Sequence, residues 1–350
     1  MKLIISSLTA LLFSGALLSA QMPGMVTMQQ SSASQGTTLG ANTTSGAAGI
    51  ALGNRAVMRG YVDFMYSNQD VQSLGHDKRF STTADVDFLL DFSPVTGEVH
   101  LALDPNPSTV GKEVTLEQAF GRYAFNRDFN ISFGRQLTVL GFDADESPEL
   151  YTVSPSYGFR QLAVSILSTK FSNNYVDGVR ANFNNGKFGV TLGLHNGYWI
   201  SNDLNDGEIA VDIAASLMII PGLEARLGYA HESSSDPLNI KNDIKQFNGW
   251  IAFKPGNFTL ALEFDTFDVY AEELWDVMLL ANYQFTNWFA STLRYSHEDL
   301  ESGAFNFEYD RFSLALLFSV TENFGINVEY SSISGDADVD EFYVEGLLTF

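Results

Sequence analysis

From residue 56 to residue 350, apolar and polar side chains alternate in sixteen successive runs, and after the first 20 residues no stretch of 18 apolar residues occurs. Together these two properties leave few folds open. A period of two belongs to β-strands, which turn successive side chains to opposite faces. The lack of a long apolar stretch excludes crossing a bilayer by helix. The final run shows the pattern: Phe342, Val344, Gly346, Leu348 and Phe350 fall on one face, and Tyr343, Glu345, Leu347 and Thr349 on the other. Such a strand can set one face against lipid and the other in water, provided that the sheet closes and leaves no backbone group unpaired in hydrocarbon. The chain is therefore expected to be all-β, a transmembrane antiparallel up-and-down β-barrel of about 16 strands.

The runs cover 56–66, 83–92, 98–104, 114–124, 129–138, 175–184, 187–196, 208–219, 223–232, 244–254, 257–269, 274–285, 288–297, 306–319, 324–333 and 341–350. Most are about 10 residues, the length that a strand tilted by about 45° needs to cross the hydrocarbon layer. The links between them alternate in length. Short ones such as Asn184-Asn185-Gly186, Ile220-Pro221-Gly222 and Pro255-Gly256 take turns with long polar ones. Outer-membrane barrels sort their connections in this way, with short turns on the periplasmic side and longer loops outside. The third external loop, 138–174, far exceeds the rest. Loops beyond about 15 residues without structure of their own tend to be functional, and this one is expected to fold inward. A solvated surface loop, or an extra strand pair within Phe159 to Lys170, is the competing reading.

The ends of the chain differ in kind from its middle. Residues 1–20 read as a cleaved signal peptide, with Met1 and Lys2 positive, Leu3 to Leu18 apolar, and Ser19-Ala20 small at the cleavage site. Residues 21–54, rich in Ser, Gly, Thr, Gln, Met and Ala without an apolar period, read as a flexible periplasmic arm. The barrel takes up 55–350. Acidic residues outnumber basic ones 42 to 19, for a net charge of -23. That excludes nucleic acid as a partner, since a phosphate backbone needs a basic footprint. With no cysteine, neither a disulfide framework nor a thiolate metal site is possible.

Alternation also assigns faces. Val86, Phe88, Leu90 and Phe92; Phe258, Leu260, Leu262 and Phe264; Phe312, Leu314, Leu316 and Phe318; and Phe324, Ile326, Val328 and Tyr330 would meet lipid. The intervening positions carry Asp85, Asp87 and Asp91, Glu263 and Asp265, Asp276, Asn282 and Gln284, and Asn327 and Glu329. Arg59, Arg180, Arg226 and Arg294 share that inward face, so the lumen is expected to be polar and wet. Trp199, Trp250, Trp275 and Trp288 lie near strand ends, as girdle residues do, although alternation with Gln246 and Asn248 turns Trp250 inward.

Size then bears on function, because sixteen strands enclose an aqueous channel whereas eight leave room only for side chains. The reading is an outer-membrane porin that passes ions and small hydrophilic solutes passively. Asp143, Asp145, Glu146 and Glu149 on the long loop would oppose the basic wall residues at a constriction and tune ion selectivity. The alternative is a structural or adhesive outer-membrane barrel plugged by that loop. An enzyme is not expected. The histidines, His76, His100, His195, His231 and His297, are scattered over separate runs, and none has a Ser or Asp at a telling spacing or the His-x-x-x-His of a metal site. No cofactor is expected either. Asp336, Asp338 and Asp340 lack the Gly and distal Glu of a calcium loop.

Leu116-Glu117-Gln118-Ala119-Phe120, followed by Ile131-Ser132-Phe133-Gly134-Arg135-Gln136-Leu137-Thr138-Val139-Leu140-Gly141-Phe142 and an acidic loop to Pro148, resembles the OmpL-like β-barrel porins. That family shows a Leu-Glu-Gln-Ala strand and then a Gly-Lys/Arg strand that enters a loop at Leu-Gly. The rest of the chain resembles porins in pattern alone, and it lacks the Pro-Glu-Phe-Gly-Gly motif of the general enterobacterial porins' third loop. The resemblance implies a channel for small solutes in the outer membrane of a Gram-negative bacterium. It also implies a homotrimer, the common state for barrels of this size.

Overall fold

Strand after strand pairs antiparallel with its successor, and the last pairs with the first long one, so the sheet has no free edge. The computed structural model describes residues 49–71, 75–106, 112–142, 147–156, 175–199, 209–235, 241–269, 272–302, 305–336 and 338–350. The segments read from the sequence as a signal peptide (1–20) and, nearly all of it, as an arm (21–54), together with Asp143, Asp145, Glu146 and the strand pair considered for Phe159 to Lys170, lie outside these residues.

A two-residue strand, β1 (Ile50–Ala51), precedes the wall. The wall begins with β2 (Ala56–Val71), β3 (Gly75–Phe92), β4 (Val95–Leu103), β5 (Val114–Ala124) and β6 (Phe129–Leu137). It continues through β7 (Tyr175–Asn184), β8 (Phe188–His195), β9 (Ala210–Ile220), β10 (Leu223–Ser235), β11 (Lys241–Phe253) and β12 (Phe258–Val269). It ends with β13 (Glu272–Thr286), β14 (Phe289–Ser302), β15 (Phe305–Ser319), β16 (Phe324–Gly335) and β17 (Val339–Thr349). Strands β2 to β17 form a closed sixteen-stranded barrel. The closing register sets Val344 beside Tyr66 and Thr349 beside Tyr61, and Gly60 and Phe350 exchange backbone hydrogen bonds of 3.0 and 2.9 Å. Beyond Phe350, β1 takes over the same edge of β2, with Ala51 beside Val57. One 3-10 turn, Ser147–Glu149, is the sole helical element among the described residues.

The short links close by side-chain caps. Asn126 Oδ1 accepts the amides of Asp128 and Phe129 at 2.9 and 3.0 Å, and Asn185 Oδ1 accepts those of Lys187 and Phe188 at 3.0 and 2.8 Å. Each asparagine thus satisfies two turn donors that no ladder partner reaches. At the same rim the outward aromatics form a continuous belt, with Phe258 against Tyr283, Tyr283 against Phe285, Phe285 against Phe289, and Phe289 against Phe318 at centroid distances of 4.3 to 5.2 Å. Trp288, 54% exposed, joins this belt, and Trp275, 37% exposed, stands on the outer wall toward the long-connection rim beside Phe264 and His297. Amphipathic rings at both levels are what membrane interfaces select. Trp199 and Trp250 are not girdle residues. Trp199 packs with Tyr198 and against Ile244, Phe267, Leu274 and Leu300, and Trp250 packs on Phe142.

Gly134 breaks the regularity of β6, with φ of 120°. A β-carbon there would sit 2.3 Å from the Ala119 carbonyl oxygen, and the backbone region itself is strained for any L side chain. Gly134→Ala is expected to lower unfolding stability by about 1–3 kcal/mol, read by urea titration of the barrel in lipid vesicles. A midpoint unchanged from the parent would refute this account of the position.

Candidate functional site in the lumen

Because side chains alternate along every wall strand, each strand delivers its polar set to the interior. Asp85, Asp87, Glu263, Asp265 and Glu329 all lie on this inward face and are buried, as are Arg180, Arg226 and Arg294. Arg59, half-buried, stands opposite Asp87 in the β2–β3 register. These are the positions picked from the sequence. Others that the same alternation marks were not singled out: Asp63, Glu98, Arg122, Asp212, Arg311 and Glu341, all buried.

Several of these groups are joined in pairs between adjacent strands or strands one apart. Arg180 Nη2 lies 3.3 Å from Asp212 Oδ2, and His195 Nε2 lies 3.1 Å from the same oxygen. Arg180 Nη1 donates to the Leu137 carbonyl at 2.8 Å, at the point where β6 ends. Arg122 meets Glu98 at 3.4 Å, and Arg311 meets Glu341 at 2.5 Å. Pairing is the condition on which charges are kept inside a protein at all, since an isolated buried charge is prohibitively costly.

The decisive feature is where the connection after β6 goes. It does not leave the barrel in its described parts. Gly141 N donates to Asn248 Oδ1 at 3.2 Å and Phe142 N to Glu263 Oε1 at 2.6 Å, both on the inward wall. Phe142 and Tyr151 stack, and they pack with Trp250, Ala252, Ala261, Met278 and Leu280, so an apolar patch inside an otherwise polar lumen exists to receive the segment. Further along the chain, Ser147 Oγ donates to Asp63 Oδ2 at 3.0 Å on β2. Glu329 on β16 accepts three bonds from this segment, from Val153 N at 2.6 Å, Ser154 N at 2.8 Å and Ser154 Oγ at 2.5 Å. Arg294 on β14 donates to Thr152 Oγ1 at 2.6 Å and to the Ser154 carbonyl at 2.8 Å. Arg311 on β15 reaches Ser154 Oγ at 2.7 Å, and Ser296 Oγ donates to the Ser156 carbonyl at 2.6 Å.

Residues 147–156 are thus fastened to one side of the wall and 141–142 to another. Glu149 is buried in the 3-10 turn of this segment. The connection after β8 also begins inward, since Tyr198 N and Trp199 N donate to Glu232 Oε2 at 2.8 and 2.6 Å. Of the three aspartates on the last long connection, Asp336 accepts the Glu308 amide and Asp340 the Tyr330 hydroxyl.

A closed antiparallel barrel of sixteen strands, apolar outside and charged within, defines an outer-membrane porin fold. The chain belongs to the family described as "Putative beta-barrel porin-2, OmpL-like", whose model matches residues 75–343. Among solved structures, the outer-membrane channel DcaP of Acinetobacter baumannii superposes with a TM-score of 0.64 at 12% identity, covering 87% of this chain and 100% of that one. An anion-selective porin from Comamonas acidovorans gives 0.64 at 12% identity, covering 84% and 99%. The trimer form of OmpT from Vibrio cholerae gives 0.58 at 14%, covering 85% and 100%. At these identities the likeness is one of fold. No curated protein matches the chain.

Proposed function

We propose that the barrel is an outer-membrane porin through which ions and small hydrophilic solutes diffuse passively, and that the third long connection narrows its passage. The observation that carries this reading is the fastening of residues 147–156 to Asp63, Arg294, Arg311 and Glu329 on the inner wall. The residues on either side of Asp143, Asp145 and Glu146 are likewise bonded to inward groups, Phe142 to Glu263 and Ser147 to Asp63. Their carboxylates, with Glu149, give the constriction a negative face set against Arg59, Arg180, Arg226 and Arg294, and a field of that sign favours cations. No catalytic role is assigned to any residue. The trimeric state of the OmpT relative supports a homotrimer here.

A second reading, a plugged structural barrel, draws on the near-complete burial of the inward side chains. Planar-bilayer recording separates the two. The porin is expected to give steady single-channel current with a reversal potential of cation sign in a salt gradient. Neutralising Asp143, Asp145, Glu146 and Glu149 together should cut the cation-to-anion permeability ratio several-fold. A silent bilayer containing inserted, folded barrel would establish the plugged reading instead.

A further inference from the structure

Asp85 and Asp87 stand two residues apart on β3, so both carboxylates enter the lumen. The tight Ser93-Pro94 link sets Phe92 beside Val95 and therefore Asp87 beside His100 on β4. One ligand atom from each of Asp85, Asp87 and His100 lies within 4.8 Å of the others, and all three residues are at most 1% exposed. His100 Nδ1 is 2.8 Å from an Asp87 carboxylate oxygen. On its other side the ring meets Glu98, with Nε2 at 3.3 Å from Oε2, and Glu98 is itself held by Arg122 at 3.4 Å.

The Nε2–H donates to Glu98 and fixes the ring, as a carboxylate orients a metal-binding imidazole, while the proton in the 2.8 Å contact between Nδ1 and Asp87 is the one that a metal ion would displace. The Gln118 amide nitrogen also lies 3.3 Å from Nδ1. The remaining observation is Asp85 itself. It is buried, it points into this group, and neither of its carboxylate oxygens accepts a hydrogen bond from any described residue.

We propose that Asp85, Asp87 and His100 bind a divalent transition-metal ion of the zinc type on the lumen wall. Two carboxylates and one imidazole are a ligand set that such ions accept. A dication among them cancels the repulsion between two adjacent buried carboxylates and gives the Asp85 oxygens the partner they lack. Zinc bonds of about 2.0–2.2 Å draw tetrahedral ligand atoms to about 3.4 Å apart, so small side-chain rotations close the group around the ion. Water from the lumen would complete the shell. The site staples β3 to β4, with Glu98 on the far side of the imidazole as its positioning residue. Sequence spacing alone does not reveal it, because the histidine comes from the next strand and meets the aspartates only through the hairpin register.

The test uses the folded barrel in detergent, stripped with a chelator, equilibrated with Zn²⁺ and desalted before elemental analysis. One retained zinc per chain is expected, with retention falling at least tenfold in Asp85→Asn and in His100→Gln, and affinity falling about 10–100-fold in Glu98→Gln. Heat-modifiable electrophoretic mobility reports whether each variant is folded. The other histidine–carboxylate pairs, such as His195 with Asp212 and His297 with Asp310, remain in Asp85→Asn, so casual binding there would persist. Zinc retained equally by parent and Asp85→Asn, or by neither, overturns the proposal and leaves a proton shared between the aspartates. Should the variants not fold, Co²⁺ added to the parent decides. Visible bands of an inner-sphere nitrogen and oxygen site that Zn²⁺ bleaches support the site, and an aquo-cobalt spectrum overturns it.

Discussion

Glu329→Ala should raise single-channel conductance several-fold and make the current fluctuate, because it removes the acceptor that fastens the inward segment. Three donors, Val153 N, Ser154 N and Ser154 Oγ, converge on that one carboxylate, and Arg294 lies 3.6 Å from it while holding Thr152 and the Ser154 carbonyl. Taking away one partner of a buried charge pair costs about 3–5 kcal/mol, since the other charge is left uncompensated. Each 1.4 kcal/mol or so is a factor of ten in the ratio of docked to released segment. A loss of that size therefore turns a segment held almost permanently into one that samples the open lumen. The wall does not depend on Glu329, whose backbone stays in the β15–β16–β17 ladder. Conductance identical to the parent, in a barrel shown to be folded, would mean that residues 147–156 do not govern the passage.

A charge placed on the outer face should be felt as stability rather than as current. Leu262 on β12 is 45% exposed on the outer wall, with Ile251 and Leu279 beside it on the flanking strands. Leu262→Arg is expected to cost about 2–4 kcal/mol in the bilayer, seen as a lower urea midpoint in vesicles, with single-channel conductance unchanged. Its sequence neighbour Glu263 faces the opposite way and accepts hydrogen bonds from Phe142 N and Asn248 Nδ2. If Leu262→Arg unfolds no more easily than the parent, the lipid-facing assignment of this strand is wrong.

All sixteen wall strands are legible as alternation, and Val114–Ala124 and Tyr175–Asn184 coincide with their sequence spans at both ends. The spans fall short by most at the long-connection rim, whereas at the short-link rim the largest shortfall is at β4, which starts at Val95 rather than at residue 98. The alternation ends at residue 66, yet β2 runs to Val71, paired with β3 down to Gly75. Likewise β14 runs to Ser302, beyond residue 297. Outside the bilayer neither face need be apolar, so the ladder of backbone hydrogen bonds continues after the side-chain signal has stopped.

The inward faces were equally readable, because Asp85, Glu263 and Glu329 differ from their neighbours in polarity alone. The partners of those groups were not. That Glu329 should meet Ser154 depends on the path of a connection across the lumen, and no local spacing encodes that path. Trp199 shows the same limit, since nearness to a strand end suggested a girdle residue, whereas the inward turn secured by Glu232 carries it into the interior.

Fifteen of the wall's pairings join strands adjacent in the chain, and the sixteenth joins residues 339–349 to 61–71. The hairpins can form locally, but this last pairing must gather almost the entire polypeptide, which makes it the contact of greatest sequence separation and the slow one. Until it forms, β2 and β17 are both open edges with unpaired amides and carbonyls, which hydrocarbon does not tolerate. Assembly of the wall is therefore all-or-none. A chain that has lost β17 does not become a slightly smaller barrel, but a curled sheet with two reactive borders, prone to join another of its kind.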